Sequence, residues 1–500
     1  MAKKPKKQIE RQEKLKDRLA HKNFQASTDP MLSGASIRYE MTRRIRVLTA
    51  GGIGAIHQLV CKLKLPEAIN QNVEIFKRHL PYFESDHVLS ICYSILCGGK
   101  PLEDVNRFRL DEVYLDALGT TRVPAPSTAG DFLRRFDEET LLALQEAINQ
   151  VRVKVWKRQS KEFREKVVID LDGTLVGTQG ECKEGIEYSY KKIWGYGPLL
   201  VSIAGTREAL YVVNRPANVA SHQGVADWID RALCVVNPVF ETIWLRGDAD
   251  FSLTKHFDVW DPQTQFIFGY DAKPNLIKKA ELLPPDAWTP LHREKKYEVK
   301  TKPRKKPKNI KQDIVKQRGF LTLKTIEEEI TSFDYQPTAC KKSYRMIVLK
   351  KHLKTTKGEE ILRYQIRYFF YITNDPSTPD TQLLRWINKR CNQENTIEQL
   401  KNGVPAFHAP ADTLLANWAY MIIASLAWNL KAWYGLLIKD PIPRQEILNM
   451  EFKQFLNTFI FIPCQVISQG RQRIFRIAHL TFNTLIVIDV LQHLQKLRFP

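Results

Sequence analysis

Two aspartates and a glutamate stand where they could share divalent cations. Asp172 lies in V-V-I-D-L-D-G-T, at the C-terminal end of an apolar, β-rich run. Side chains alternate along a strand, so Asp170 faces the same side as Asp172, and Gly173 and Thr174 then turn the chain. Asp248 lies in I-W-L-R-G-D-A-D-F, again just past an apolar strand-like run. Glu394 lies in R-W-I-N-K-R-C-N-Q-E-N-T-I-E-Q-L-K-N-G, whose pattern predicts one continuous helix. On such a helix Arg390, Glu394 and Lys401 fall within about 40° of one another, a single stripe of cation, carboxylate and cation. Hard oxygen ligands of this kind suit Mg²⁺ or Mn²⁺. Two such ions can activate water or a 3′-hydroxyl for in-line attack on a phosphodiester and stabilise the leaving oxygen. Flanking Arg and Lys would hold phosphates.

Each feature alone has a plainer explanation. A single Asp after a strand is more often a turn or cap residue. Charges four residues apart on a helix are ordinary surface ion pairs, and Glu398 with Lys401 could be one of them. The run V-V-I-D-L-D-G-T-L-V also resembles the first motif of haloacid dehalogenase-type phosphatases. There Asp170 would be the nucleophile and Asp172 the acid/base, with Asp248 and Asp250 supplying metal ligands. That motif usually opens its domain, whereas here about 165 residues precede it. A non-catalytic DNA-binding protein is a further alternative, against which the presence of all three carboxylates argues.

The elements that must position these residues follow from the pattern. Residues 1–45 read as a basic arm, and 46–160 as a mostly helical N-terminal domain. In that domain Ser127 or Thr128 is expected to cap G-D-F-L-R-R-F-D, and Asp137 the helix after it. Arg134 and Arg135 could read DNA there, or belong to a plain helical bundle. From 161 to 275, short β-rich runs at regular spacing with intervening helices predict an α/β fold, a mixed sheet with helices on its faces. Residues 276–370 read as a β-rich, basic insertion. The core resumes over 371–440, and 441–500 form a C-terminal region. Residues 413–430 carry no charge for 18 positions, but Asn417, Ser425 and Asn429 interrupt them, so a buried core helix is expected rather than a membrane span.

Charge narrows the partner. Lys and Arg number 76 against 55 Asp and Glu, a net charge of +21. Residues 1–50 carry +8 and residues 291–320 carry +9 of that excess. Such clustering suits a polyanion, because each neutralised phosphate releases condensed counterions. Arg304, Lys305 and Lys306, in the internal run, are candidate DNA contacts. Eight cysteines with no C-x-x-C pair argue for a reducing compartment and against a structural zinc site. The N-terminus has no apolar stretch of a secretory signal.

Taken in order, the motifs resemble the DDE-type transposases of bacterial insertion sequences, specifically the thirteen-eighty group of the insertion-sequence-four superfamily. The carriers are I-D-L-D-G-T, W-L-R-G-D-A-D-F and the R-x3-E-x6-K signature in R-C-N-Q-E-N-T-I-E-Q-L-K-N-G. C-G-G-K-P-L-E-D-V-N-R-F-R, V-P-A-P-S-T-A-G-D-F-L-R-R-F, G-Y-G-P-L-L and N-W-A-Y-M-I-I-A-S-L-A-W-N-L support them. The resemblance implies an RNase H-like core, interrupted by a β-rich insertion before the glutamate helix, that cuts element ends and joins their 3′ ends to a target. It implies two Mg²⁺ ions, with Mn²⁺ as substitute. It implies double-stranded DNA as partner, at element ends and target, a homodimer or higher assembly on DNA, no membrane, and a cytoplasmic, nucleoid-associated location. Asp172 and Asp248 match the family's two aspartates, Glu394 its glutamate, and Arg390 and Lys401 its phosphate-contacting cations. The family's tyrosine three residues before the arginine is Ile387 here, with Trp386 beside it. Asp170 remains an alternative first acid.

Overall fold

The apolar runs that begin at Lys166 pair into one mixed sheet. Its main strands are β1 (Lys166–Gly173), β2 (Leu199–Ile203), β3 (Ala209–Val213), β4 (Thr242–Gly247), β5 (Gln265–Tyr270), β6 (Leu321–Tyr335), β7 (Tyr344–Lys357) and β8 (Glu360–Thr373). Their order in space is β6-β7-β8-β5-β4-β1-β2-β3, with Thr289–Pro290 outside β6. β4 lies parallel to β1 and β5 parallel to β4, whereas β2 is antiparallel to β1 and β3 to β2. The structure is a computed structural model and describes residues 46–293 except 80 and 179, residue 314, and residues 321–357, 360–470, 472–477 and 482–496. The basic arm and the run holding Arg304, Lys305 and Lys306 lie outside the described residues.

The helices include α1 (Glu84–Leu96), α2 (Pro126–Leu133), α3 (Glu138–Lys157), α4 (Val225–Val236), α5 (Asp380–Asn388), α6 (Cys391–Glu398), α7 (Leu414–Leu436) and α8 (Phe482–Lys496), of which α3, α4, α5 and α7 pack on strands of the sheet. All residues of β2 and β3 are buried, as expected of strands with helices packed on them. The uncharged stretch forms α7, buried from Ala416 to Leu436. Several of its polar residues bond to the edge strand, whereas the Ser425 and Tyr434 hydroxyls are buried without a hydrogen-bond partner among the described residues. Asn429 accepts the Ala209 N–H at 2.9 Å and donates to the Ala209 carbonyl at 3.0 Å, and Trp418 donates to the Val212 carbonyl. Gln145 of α3 accepts the Val212 N–H at 2.9 Å. The free edge of β3 is thereby closed by side chains, which removes a site for further strand pairing. Among the described residues no helix is long and apolar enough to cross a membrane.

A buried polar cluster locks the helical part to the sheet. Glu208, in the β2–β3 turn, accepts from the indoles of Trp156 (3.0 Å) and Trp433 (2.7 Å) and lies 3.5 Å from Arg152. One continuous apolar core runs through the N-terminal helices, the sheet and α7. The C-terminal region folds back on the start: the hairpin Cys464–Gln469 and Gln472–Ile477 pairs with Val47–Leu48. A Cβ at Gly52 would lie 1.7 Å from the Phe459 carbonyl oxygen, so that approach requires glycine.

One local expectation changes. α2 begins at Pro126 after Ala125, so Ser127 and Thr128 sit in its first turn and do not cap it; the fixed φ of proline suits the first helical position. Asp137 does cap α3, accepting the Thr140 N–H at 2.8 Å. β8 pairs antiparallel with β5 from Phe370–Tyr270 to Thr373–Ile267, so the strands β6 to β8 extend the same sheet.

Candidate active site

Register brings the two aspartates level. In the parallel pair β1–β4, Asp170 stands opposite Arg246. Two residues further along come Asp172, still in β1, and Asp248, just past β4, at the same end of the neighbouring strands. Arg390 joins them: its Nη1 lies 3.8 Å from Asp172 Oδ2 and 3.3 Å from Asp248 Oδ2. Asp248 Oδ1 also accepts the Asp250 N–H at 3.1 Å, capping the turn Ala249–Phe251. Burial pushes the Asp172 carboxyl up to about 6; Arg390 opposes this, and the negative charges of Asp248 and Glu394 add to it. Burial also raises Asp248, again opposed by Arg390.

Asp170 is engaged elsewhere. Arg246 binds it in a fork, Nε to Oδ1 at 2.6 Å and Nη2 to Oδ2 at 2.7 Å, with both side chains 2% exposed. The remaining Nη1 of Arg246 donates to the Trp386 carbonyl at 2.7 Å. The Trp386 ring packs edge-on against Trp244, with centroids 4.3 Å apart, and Lys166 Nζ lies about 4.5 Å from both rings.

This contact coincides with a break in the helix that carries the signature. The expected continuous helix is α5, an interruption at Lys389 and Arg390, then α6 and a π-turn over Gln399–Gly403. The N–H groups of Lys389 and Arg390 close tight bonds to the carbonyls of Trp386 (3.1 Å) and Ile387 (3.0 Å), so Arg390 starts a new helix. The break precedes Arg390, which is itself in helical conformation and leads directly into α6, so Arg390 and Glu394 keep helical spacing; the wider π-turn falls between Glu394 and Lys401. Lys401 Nζ donates to the Leu175 carbonyl at 3.0 Å, just past Asp172, and burial lowers its ammonium. Glu394 is exposed on α6.

The structure therefore gathers Asp172 and Asp248 around one cation and leaves Glu394 nearby but apart. Among the described residues no group of three or more His, Cys, Asp and Glu side chains is placed to hold a metal ion. The donors that do converge fit one: two hard carboxylates face a common cationic position, both raised by burial and by neighbouring negative charge. Of the other expected contacts, Arg134 Nε pairs with Asp412 at 2.8 Å and its Nη1 with Asp131 at 3.3 Å. Arg135 lies over the Phe76 ring at 5.3 Å.

Residues 34–499 match the family model described as transposase DDE domain group 1. The chain belongs to the DDE transposase family. A solved piggyBac transposase synaptic complex with hairpin DNA aligns with 83% of this chain and 82% of that one, at 11% identity and a TM-score of 0.34. A search of curated proteins gives no match. In this DDE transposase chain, the nucleophile of the phosphatase reading, Asp170, has both oxygens bound by Arg246. Beside the aspartates a cavity of about 660 Å³ opens, lined by Gly173, Asp250, Lys401, Tyr190, Lys191 and Arg215 among others. Sequence reasoning assigned nothing to the last three. For Tyr190 and Lys191 the interleaved aromatic and basic residues of Y-S-Y-K-K-I-W, Tyr188 to Trp194, were the available signal; Arg215 had none.

Proposed function

We propose that the chain is a DNA transposase that cuts the ends of an insertion sequence and joins the resulting 3′-hydroxyls to target DNA. The observation that carries this reading is the pair of strand-end carboxylates, Asp172 and Asp248, facing the single guanidinium of Arg390. The strand order β5-β4-β1-β2-β3, with only β2 reversed, supports an RNase H-like core, with residues 276–370 as its insertion. The family membership and the R-x3-E-x6-K signature support the thirteen-eighty assignment. In this reading Asp172, Asp248 and Glu394 hold two Mg²⁺ ions, or Mn²⁺ in their place, which when bound activate the attacking oxygen and stabilise the leaving one.

The chain's own residues do the rest. Arg390 offsets the like charge of the aspartates in the metal-free protein. Arg390 and Lys401 hold phosphates of the DNA strand, and the basic arm and insertion hold flanking duplex, in a homodimer or larger assembly. Asp170 supports the site through Arg246, which leaves Asp172 as the first ligand. Duplex oligonucleotides carrying the element's terminal sequences, incubated with the full chain, test this. Cleavage is expected only with Mg²⁺ or Mn²⁺, and is expected to be lost in Asp172→Asn, Asp248→Asn and Glu394→Gln. Metal-independent cleavage, or cleavage that survives all three substitutions, overturns it.

A further inference from the structure

Between the aspartates and the β3–α4 connection lies a cationic cavity flanked by an exposed aromatic hairpin. The hairpin pairs Glu187–Tyr188 with Trp194–Tyr196, and Trp194–Tyr196 with Val176–Gly177. Its attachment is close: at Gly195 (φ +155°) a Cβ would meet the Val176 carbonyl oxygen at 2.0 Å, so only glycine allows it. Buried Ser189 braces the tip. Its hydroxyl accepts the Ile193 N–H at 2.9 Å, and its carbonyl accepts the Lys192 N–H at 2.9 Å. What the brace holds out is apolar and cationic. Tyr190 is 80% exposed, Tyr188 55% and Trp194 42%, and Lys191 and Lys192 are exposed between them. Their neighbours are one another and the adjacent lysine: the Tyr188 and Trp194 centroids lie 6.1 Å apart and Lys191 Nζ lies 5.4 Å from the Tyr190 centroid, so much of each ring still faces solvent, and burying it against a flat partner would be favourable.

The cavity wall supplies the charge. Arg215 donates Nε to the Gly197 carbonyl (3.3 Å) and Nη1 to the Ser221 and Gln223 carbonyls (3.3 and 3.0 Å). Its Nη2 takes no part in those bonds. Burial lowers the guanidinium and no neighbouring carboxylate offsets that effect, yet it is still a cation at neutral pH. Lys401 and Lys191 line the same space, as does His222, and Asp250 is the acidic residue among its lining. At about 660 Å³ the cavity falls within the range of small-ligand sites, about 300–1,000 Å³.

Flat exposed rings beside a groove of cations match an unpaired nucleotide, whose base offers a stacking face and whose phosphate offers charge. A duplex would keep its base faces stacked inside. We infer that this hairpin and cavity form a binding site for single-stranded DNA, with a base stacked on Tyr190 and the adjoining phosphate held by Arg215 and Lys191. The inference rests on the transposase reading for its location, since Gly173, Asp250 and Lys401 place the strand next to Asp172 and Asp248. It adds a site that neither the carboxylates nor the signature require.

The test uses the full chain in EDTA, a short single-stranded oligothymidylate carrying 5-iodo-deoxyuridine, and a duplex of the same length. Photo-crosslinks to the single strand are expected at Tyr188, Tyr190 or Trp194, mapped by mass spectrometry. Tyr190→Ala and Lys191→Ala, both at exposed positions, are expected to weaken single-strand binding roughly five- to hundredfold, the range for losing one stacked base. Both should leave duplex binding within about twofold. Arg215→Met is expected to lower crosslink yield at the hairpin, but it also frees three backbone carbonyls, so the decision rests on the two exposed variants. Crosslinks that avoid residues 187–194, or variants that bind the single strand like the unaltered chain, overturn the inference. Failure of the transposase reading looks different. In that case the hairpin crosslinks persist while metal-dependent cleavage of element ends is absent. If cleavage is present and the hairpin takes no crosslink, only this inference falls.

Discussion

Replacing Asp170 by Asn should unfold the chain far more readily than its conservative chemistry suggests. The Asp170–Arg246 pair is 2% exposed on both sides, so solvent screens it little. Asn keeps one acceptor oxygen but turns an N–H₂ toward a guanidinium that is itself all donors. The guanidinium is then left buried with no counter-charge, a change that costs about 3–5 kcal/mol in comparable pairs. The double variant Asp170→Leu with Arg246→Met removes both charges among apolar neighbours, Trp244, Ile267 and Trp386, and should recover most of that stability. It does not restore the donor to the Trp386 carbonyl, beside which the helix breaks and Arg390 is set. Cleavage is therefore expected to stay low in the double variant even where stability returns. Urea unfolding followed by tryptophan fluorescence, alongside Mg²⁺-dependent cleavage of element ends, separates the two effects. If Asp170→Asn unfolds within about 1 kcal/mol of the unaltered chain, the pair is not the brace argued for. If the double variant cleaves normally, Arg246 does not position the site.

The Asp172 carboxyl, raised from 3.8 to about 6 on folding, binds protons better folded than unfolded. Falling pH between those values thus favours the folded metal-free chain, and the ionised form is a burden above them. Asp172→Asn should stabilise the metal-free protein at pH 7.5 by on the order of 1–3 kcal/mol and change little near pH 4, as read by urea midpoints. Mn²⁺ affinity, measured by titration calorimetry, should fall as pH drops below about 6 in the unaltered chain, because protons and metal compete for the same oxygens. Lys431 is buried in α7, donates to the Leu448 carbonyl at 3.2 Å, and is lowered by burial to about 7. Folded, it sheds its proton near pH 7 while the unfolded chain keeps it to 10.5. Stability should therefore climb with pH between those values, by up to about 1.4 kcal/mol per unit. Lys431→Met should flatten that slope and gain stability below pH 7 in thermal melts. Ile387→Tyr, which restores the residue of the resembled group, should cost about 1–3 kcal/mol by overpacking the cluster with Ile267, Leu349 and Leu383. A variant as stable as the unaltered chain would show spare room there.

The catalytic candidates were legible because their chemistry is written locally. Asp172 and Asp248 each follow an apolar strand, and a strand's end can be read from its own residues. The order of strands around α4, the Asp137 cap and the burial of the uncharged α7 follow from period and composition in the same way. The chain's bias toward a polyanion is likewise a property of its composition.

Other features could be decided only by folding. Asp170 and Asp172 look alike in sequence, two residues apart on one face. The parallel register sets Arg246 opposite Asp170 and not Asp172, and so commits one carboxylate to a buried brace while the other faces Arg390. That register is a pairing between residues 76 positions apart, which no local pattern encodes. The signature helix shows the same limit. Its residues keep helical spacing throughout, yet it is interrupted after Asn388, where a donor from a distant strand takes the Trp386 carbonyl. Backbone geometry there answers to a tertiary hydrogen bond rather than to propensity. The aromatic hairpin was visible as a string of residue types but acquired meaning only when the sheet set it beside Arg215 and the two aspartates. Sequence determines which groups can do chemistry; the long-range pairing of strands determines which of them share a space small enough to do it together.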